Sequence, residues 1–280
     1  SGSGIPGDDL RIMFWNLENF FDWTDQGTGD SDRELSRNGV RRWSRKRFYT
    51  KCSVISKAMF SLADDCGGMP DLIGVAEIEN ETVLKEMISS TQLRKFGYRI
   101  IHYDSPDPRG IDVALLYRAA RFREASGFPV RAGFPTRDIL SCLLVTGGGD
   151  SLVVFVNHHP SKYGGPESEG RRRSVVARLA TLSDSLRHAG WERQGAVGDF
   201  NDEPQNPLYA DLLPGMVNMA LPLKERGEGT IKYNGAWELI DLCFVTPELS
   251  EVSSFRIFRP PFLVTRDTAH TGYKPLRTYS

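Results

Sequence analysis

No Cys-x-x-Cys pair occurs in this 280-residue chain, and its four cysteines, Cys52, Cys66, Cys142 and Cys243, are too scattered to form a structural zinc site. Cys52, Cys142 and Cys243 lie in apolar periodic runs and read as small core residues, whereas Cys66 falls in a Gly-rich turn. They leave the redox compartment open. No apolar run approaches the roughly 18 residues that span a bilayer, so no transmembrane segment is expected. No signal peptide is visible, and localisation stays open because a processed exported protein would look the same. No strong charge bias is present either: the net charge of -1 argues against an extended electrostatic footprint for duplex DNA. Basic residues are dense only locally, at Arg37, Arg41, Arg42, Arg45, Lys46, Arg47 and Lys51 and again at Arg171, Arg172 and Arg173. They read as solvated helix faces, with a rim that guides a polyanion as the sharper alternative.

What is present is enough apolar material, 40%, for a sizeable core. No repeat and no long linker divides the chain, so one domain is expected over 10–280 after a flexible leader at 1–9. A first strand is expected at 10–15, and a long loop rich in Asp, Gly, Ser and Arg at 22–39. A helix follows at 43–62, where Phe48, Cys52, Ile55, Met59 and Leu62 step by four, three, four and three. A second strong helix is expected at 170–188 on the stripe Val175, Leu179, Leu182 and Leu186, and a short one at 82–88. Strands are expected at 71–76, 98–102, 111–117, 139–145, 152–156, 196–198, 239–245 and 255–258. Many strands with two strong helices set apart along the chain suggest two packed sheets flanked by helices.

Several of these strands close on polar groups. Gly198-Asp199-Phe200-Asn201 follows the apolar pair Ala196-Val197, offering a carboxylate and a carboxamide to one small volume. That pairing suits a hard cation and a phosphoryl oxygen, although Asp-x-Asn after Gly is also a good turn sequence. Phe14-Trp15-Asn16, the strand ending at Glu77, the run ending Asn157-His158-His159-Pro160-Ser161, and Asp241 inside Leu239–Val245 repeat the pattern. Polar ends of strands sharing a sheet can converge on one cleft.

With these motifs in this order from Leu10 to Val245, the chain resembles the endonuclease/exonuclease/phosphatase superfamily. It looks closest to a bacterial branch carrying Ser-Pro-Asp-x-Arg-Gly-Ile-Asp-Val-Ala-Leu-Leu-Tyr, present here as Ser105 to Tyr117. The resemblance implies an α/β (α+β) class: a four-layer α/β/β/α sandwich of two mostly antiparallel sheets. It also implies a divalent-metal-dependent phosphoesterase using Mg2+ or Mn2+. The substrate would be a phosphodiester in nucleic acid or an inositol or lipid phosphate, and the protein a monomer.

Phosphodiester hydrolysis needs an activated water, stabilised phosphoryl charge and help for the leaving oxygen. By the resemblance, Glu77 is the first metal ligand, with Asn16 orienting it or the metal's waters and Asp199 contributing. Asp199 positions or deprotonates the attacking water, and Asn201 donates to a phosphoryl oxygen. His158 contacts the phosphate and serves the leaving group. Strand alternation sends His159 to the opposite face, where it is structural. Asp241, a lone acid among apolar neighbours, requires a partner, and in the family that partner is a histidine. Arg109 and Asp112 are secondary substrate-binding candidates, Arg109 as a phosphate clamp. The match breaks at the family's Ser-Asp-His triplet: His270 follows Ala269, not Asp, and the role is not carried onto it. The expectation is that a C-terminal segment carrying the triplet is missing. A binding module of the same fold with impaired catalysis is the alternative.

Overall fold

Three apolar clusters seal the two sheets, one over each outer face and one shared between the inner faces, and that division produces the layers. The computed structural model describes residues 9–23 and 44–260, together with the backbone of 264–266 and 273–275. Strand β1 (Ile12–Phe20) leads to helix α1 (Arg45–Cys66), β2 (Leu72–Ile78), α2 (Glu81–Ser89), β3 (Tyr98–His102) and β4 (Asp112–Arg118). Then come β5 (Phe122–Val130), β6 (Ile139–Thr146), β7 (Ser151–His158), α3 (Pro166–His188) and β8 (Gln194–Asp199). Small elements follow: α4 (Pro207–Leu212), β9 (Val217–Asn218), α5 (Leu221–Glu225), β10 (Ile231–Tyr233) and β11 (Ala236–Glu238). The described chain closes with β12 (Asp241–Val245), α6 (Pro247–Ser250), β13 (Val264–Arg266) and β14 (Tyr273–Pro275). One sheet has the order β1-β2-β4-β3 and the other β5-β6-β7-β8-β12-β9. Only the pairings β1–β2 and β7–β8 are parallel within them.

Alternation assigns the side chains. Along β2, Ile73 and Val75 face α1 and α2, whereas Leu72 and Ala76 face the second sheet. Along β7, Val153 and Phe155 pack under α3, whereas Leu152, Val154 and Val156 meet the first sheet. The layer order is therefore helix, sheet, sheet, helix, the expected sandwich. Helix α1 starts on Ser44, whose hydroxyl accepts from the Arg47 amide, and stops at Gly67 in the left-handed region (φ 80°). No helix among the described residues is long and apolar enough to cross a membrane.

Several expectations change. Helix α3 begins at Pro166, whose fixed φ suits the first turn, so Arg171, Arg172 and Arg173 sit in the second turn behind Glu167 and Glu169. Arg172 is buried against Asp202 (2.7 Å) and the Ser161 carbonyl (3.1 Å), which neither solvation nor a polyanion explains. Lys51 is likewise fully buried, while Arg45, Lys46 and Arg47 are exposed; Arg37, Arg41 and Arg42 lie outside the described residues, as do the leader at 1–8 and Trp43. Strand β5 was not foreseen because it is an edge strand with Gly127 and Pro129 and few buried positions. Residues 255–258 form no strand; Phe255 and Ile257 pack as extended chain on the cluster under α3.

Gly198 controls how closely β8 approaches β7. Its φ is 151°, and a Cβ there would stand 2.0 Å from the Asn157 carbonyl oxygen. Gly198→Ala is expected to cost about 2–3 kcal/mol through backbone strain and displacement of β7. A denaturant titration checks this, and an unchanged midpoint would contradict it.

Candidate active site

Sheet register builds the centre of the site. His158 on β7 is the direct partner of Asp199 on β8, and Asp199 is the direct partner of Asp241 on β12. Direct partners share a face, and that face is the inner one, because Val156 and Val197, two residues back on their strands, belong to the inter-sheet core. The strand ends thus present a row of imidazole, carboxylate and carboxylate toward the other sheet. His158 Nε2 stands 3.8 Å from Asp199 Oδ2.

The first sheet supplies the opposite wall. Phe14 packs in the inter-sheet core, so Asn16 projects the same way, and its Nδ2 donates to Asp199 Oδ2 at 3.2 Å. Glu77 reaches the cleft by a different device. The β2–β4 register shifts between Ala76 and Ile78, making Glu77 the extra residue of a bulge at φ 59°. Simple alternation from Ile73 and Val75 would send it toward α1; the bulge re-aims it. Glu18, Asn19 and Asn201 also hold positive φ (54°, 56° and 51°), an uncommon state for residues other than glycine that clusters at functional sites. Arg109 links this wall: its Nη2 donates to Asn19 Oδ1 at 2.8 Å and lies 3.6 Å from Glu77 Oε1.

The electrostatics are those of acids crowded away from water. Burial pushes Asp199 up to about 6, with the charge of Glu77 adding to the rise and hydrogen bonds from Asn201 and Asn16 opposing it. Asp241 is raised well above the carboxylate range by burial first and by the Asp199 charge second. His158 is driven well below its ordinary value by burial, then by the guanidinium groups of Arg137 and Arg109, so its imidazole is neutral.

Some expected partners differ. Asp241 is hydrogen-bonded through Thr230 rather than a histidine among the described residues, and its Oδ1 is buried with no hydrogen-bond partner there. His270 lies outside the described residues. The Asn201 carboxamide donates to the His159 carbonyl at 2.7 Å, and its backbone amide to Asp199 Oδ1 at 3.0 Å, so it braces the site in this state. Asp112 is not open to substrate: Ser105 donates from its amide (2.9 Å) and hydroxyl (2.5 Å), and His102 Nε2 lies 2.8 Å away. His159 turns outward, 3.1 Å from Asn157 Oδ1 and against the Phe200 ring.

Three contributors escaped sequence reasoning. Lys51 donates to the Glu18 carbonyl at 2.5 Å, fixing the irregular stretch of β1 after Asn16, and burial lowers its ammonium to about 7 against the opposing charges of Glu18 and Glu77. Arg137 joins Asp107 (3.1 Å) to the His159 carbonyl (2.6 Å). Arg172 ties the turn after β7 to Asp202. An arginine or lysine inside an otherwise apolar face would have been the only signal.

Asp199 and Asp241 offer oxygens on one wall of the cleft and Asn16 and Glu77 on the other, donors of the kind that hard divalent cations prefer, although the ligand atoms of the three acids do not all lie within 4.8 Å of one another. The unpartnered Asp241 oxygen beside Asp199 fits such an ion, since two buried carboxylates that repel each other need a cation to ionise together. His102, Asp104 and Asp112 do bring ligand atoms within 4.8 Å of one another, but the Asp112 oxygens are already taken up by Ser105 and His102.

Comparison with known proteins follows the same lines. A model of the endonuclease/exonuclease/phosphatase family matches residues 11–280. No curated protein matches the sequence. Among solved structures, a D. rerio TDP2 humanized by 14 mutations is similar at TM-score 0.56 and 14% identity, covering 92% of this chain and 87% of that one. A Bacteroides thetaiotaomicron mannosyl-6-phosphatase gives 0.55 at 16% identity (85% and 86%), and the human Nocturnin catalytic domain 0.54 at 18% (85% and 83%). Identities this low speak for the fold.

Proposed function

The chain belongs to the endonuclease/exonuclease/phosphatase family, and from that premise we propose that it is a divalent-metal-dependent phosphoesterase that hydrolyses phosphodiester bonds by water attack. The observation that carries this reading is the convergence of Glu77, Asp199 and Asp241 on Asn16 and neutral His158, with one buried carboxylate oxygen left without a donor. Mg2+ or Mn2+, when bound by Glu77 with Asn16 and Asp199, would supply charge for the phosphoryl oxygens. Asp199, held by the Asn16 carboxamide and the Asn201 amide, orients the attacking water and takes its proton. Arg109, half exposed at the rim beside Glu77, binds a phosphoryl oxygen. His158 contacts the phosphate. Substrate charge offsets the burial that keeps its ring neutral, so that Nε2 can pass a proton to the leaving oxygen.

The near-neutral net charge favours a nucleic-acid strand or a lipid or inositol phosphate over duplex DNA. An aryl phosphodiester tests the chemistry without choosing among these. Hydrolysis should require added Mg2+ or Mn2+, and Glu77→Gln should need at least about ten times more metal for half-maximal rate. Equal rates with and without metal, in both proteins, would remove the proposal and leave a binding module of this fold.

A further inference from the structure

His158 and Asp138 each carry buried polar atoms that nothing among the described residues satisfies. The Nδ1 of His158 and both carboxylate oxygens of Asp138 lack hydrogen-bond partners, and the two residues are 6% and 5% exposed. Unpaired buried groups of this kind are costly, and two of them side by side call for an explanation. Strands β6 and β7 are antiparallel, with Cys142 facing Val154 and Leu140 facing Val156. All four belong to the inter-sheet core. Two residues further along this register, Asp138 comes opposite His158 on the same inner face. Side chains at facing positions root about 5 Å apart, so a rotamer adjustment brings a carboxylate to an imidazole N–H.

The neighbouring acids are otherwise engaged. Asp112 takes Ser105 and His102, and Asp199 faces the other nitrogen of the His158 ring. Arg131, which forms an ion pair with Asp138, is half exposed and stands 3.6 Å from Oδ1.

We propose that Asp138 is the positioning residue of His158: its carboxylate accepts a hydrogen bond from Nδ1–H, so that Nε2 is the nitrogen that exchanges a proton at the phosphate. Nδ1 keeps its proton throughout. The ring enters the step as imidazolium, supported by the Asp138 charge; Nε2 gives its proton to the leaving oxygen, which leaves the neutral Nδ1–H ring, and Nε2 is reprotonated from solvent afterwards. Its catalytic part rests on the role given to His158 above; its structural part does not.

Imidazole 15N shifts of the full chain at pH 8 test the structural part. Wild-type His158 should show a protonated Nδ1, and Asp138→Asn, whose amide offers a donor instead, should shift the tautomer toward Nε2–H. A wild-type ring protonated at Nε2 alone would overturn the proposal, whether or not the variant folds. On an alkyl phosphodiester, Asp138→Asn should lower kcat about ten- to hundred-fold with KM within about twofold. The same change in a His158→Ala background should alter kcat less than twofold. Full losses that multiply would also overturn it. A protonated Nδ1 in a protein that hydrolyses no phosphodiester would uphold the pairing and refute only the phosphoesterase reading.

Discussion

Asp199→Asn is expected to lower kcat on a phosphodiester by about 10²- to 10⁴-fold, the usual range for loss of an acid–base group, while leaving the fold intact. Asparagine keeps one acceptor oxygen for the Asn201 amide, gives up the second acceptor that meets the Asn16 carboxamide, and can neither take a proton from water nor share a cation. The same substitution should change how stability depends on pH. Burial raises Asp199 to about 6 in the folded chain, above the ordinary carboxylate value near 3.9. A raised acid stabilises the fold fully below its unfolded pKa, and that contribution is lost as pH climbs through the folded value. The metal-free protein should therefore be most stable in mild acid and weaken from about pH 4 to beyond 6. Asp199→Asn should flatten this decline. Saturating Mg2+ should do so too, because an ion that binds only the folded, ionised site adds stability where the acids repel. Thermal midpoints across pH, with and without Mg2+, measure both effects. A wild-type curve that rises over this range would contradict the burial argument.

Arg172→Ala should be the most destabilising of these changes, by about 3–5 kcal/mol. The guanidinium is buried and makes four contacts: Asp202 Oδ2 at 2.7 Å, Ser168 Oγ at 3.0 Å, and the carbonyls of Ser161 and Pro160 at 3.1 and 3.4 Å. Removing it leaves the buried Asp202 carboxylate without its cation and two carbonyls without a donor. At roughly 2–4 °C per kcal/mol for a domain of this size, the thermal midpoint should fall by about 6–20 °C. Arg172→Ala with Asp202→Ala should recover part of the loss, since the stranded charge disappears. Activity should fall as well, because the guanidinium holds the turn that follows His158. A midpoint within about 2 °C of wild type would show that the pair carries little of the stability.

Much of this architecture was readable from apolar spacing. The stripe Phe48, Cys52, Ile55 and Met59 forecast α1, and the continuous run Val153–Val156 forecast an apolar strand, which the structure buries on both faces. The polar strand ends His158, Asp199 and Asp241 were visible as breaks in those runs. Their meeting in one row was not, because register between strands far apart in sequence leaves no local trace. The bulge at Glu77 was equally hidden, since an extra residue in a strand looks like ordinary alternation until its partner is known. Asn201 and Asp112 were read as facing substrate because their types suit it; the nearer donors and acceptors, the His159 carbonyl and the Ser105–His102 pair, engage them first. Arg172 looked like surface charge because nothing local announces that Asp202 lies beneath.

Glu18, Asn19, Glu77 and Asn201 twist the main chain in the sense that favours glycine. A laboratory selection for heat resistance alone would gain by relaxing these corners, and each gain would shift the side chains they aim into the cleft. Hardier descendants of this protein should thus be those in which the cleft is least sharply shaped.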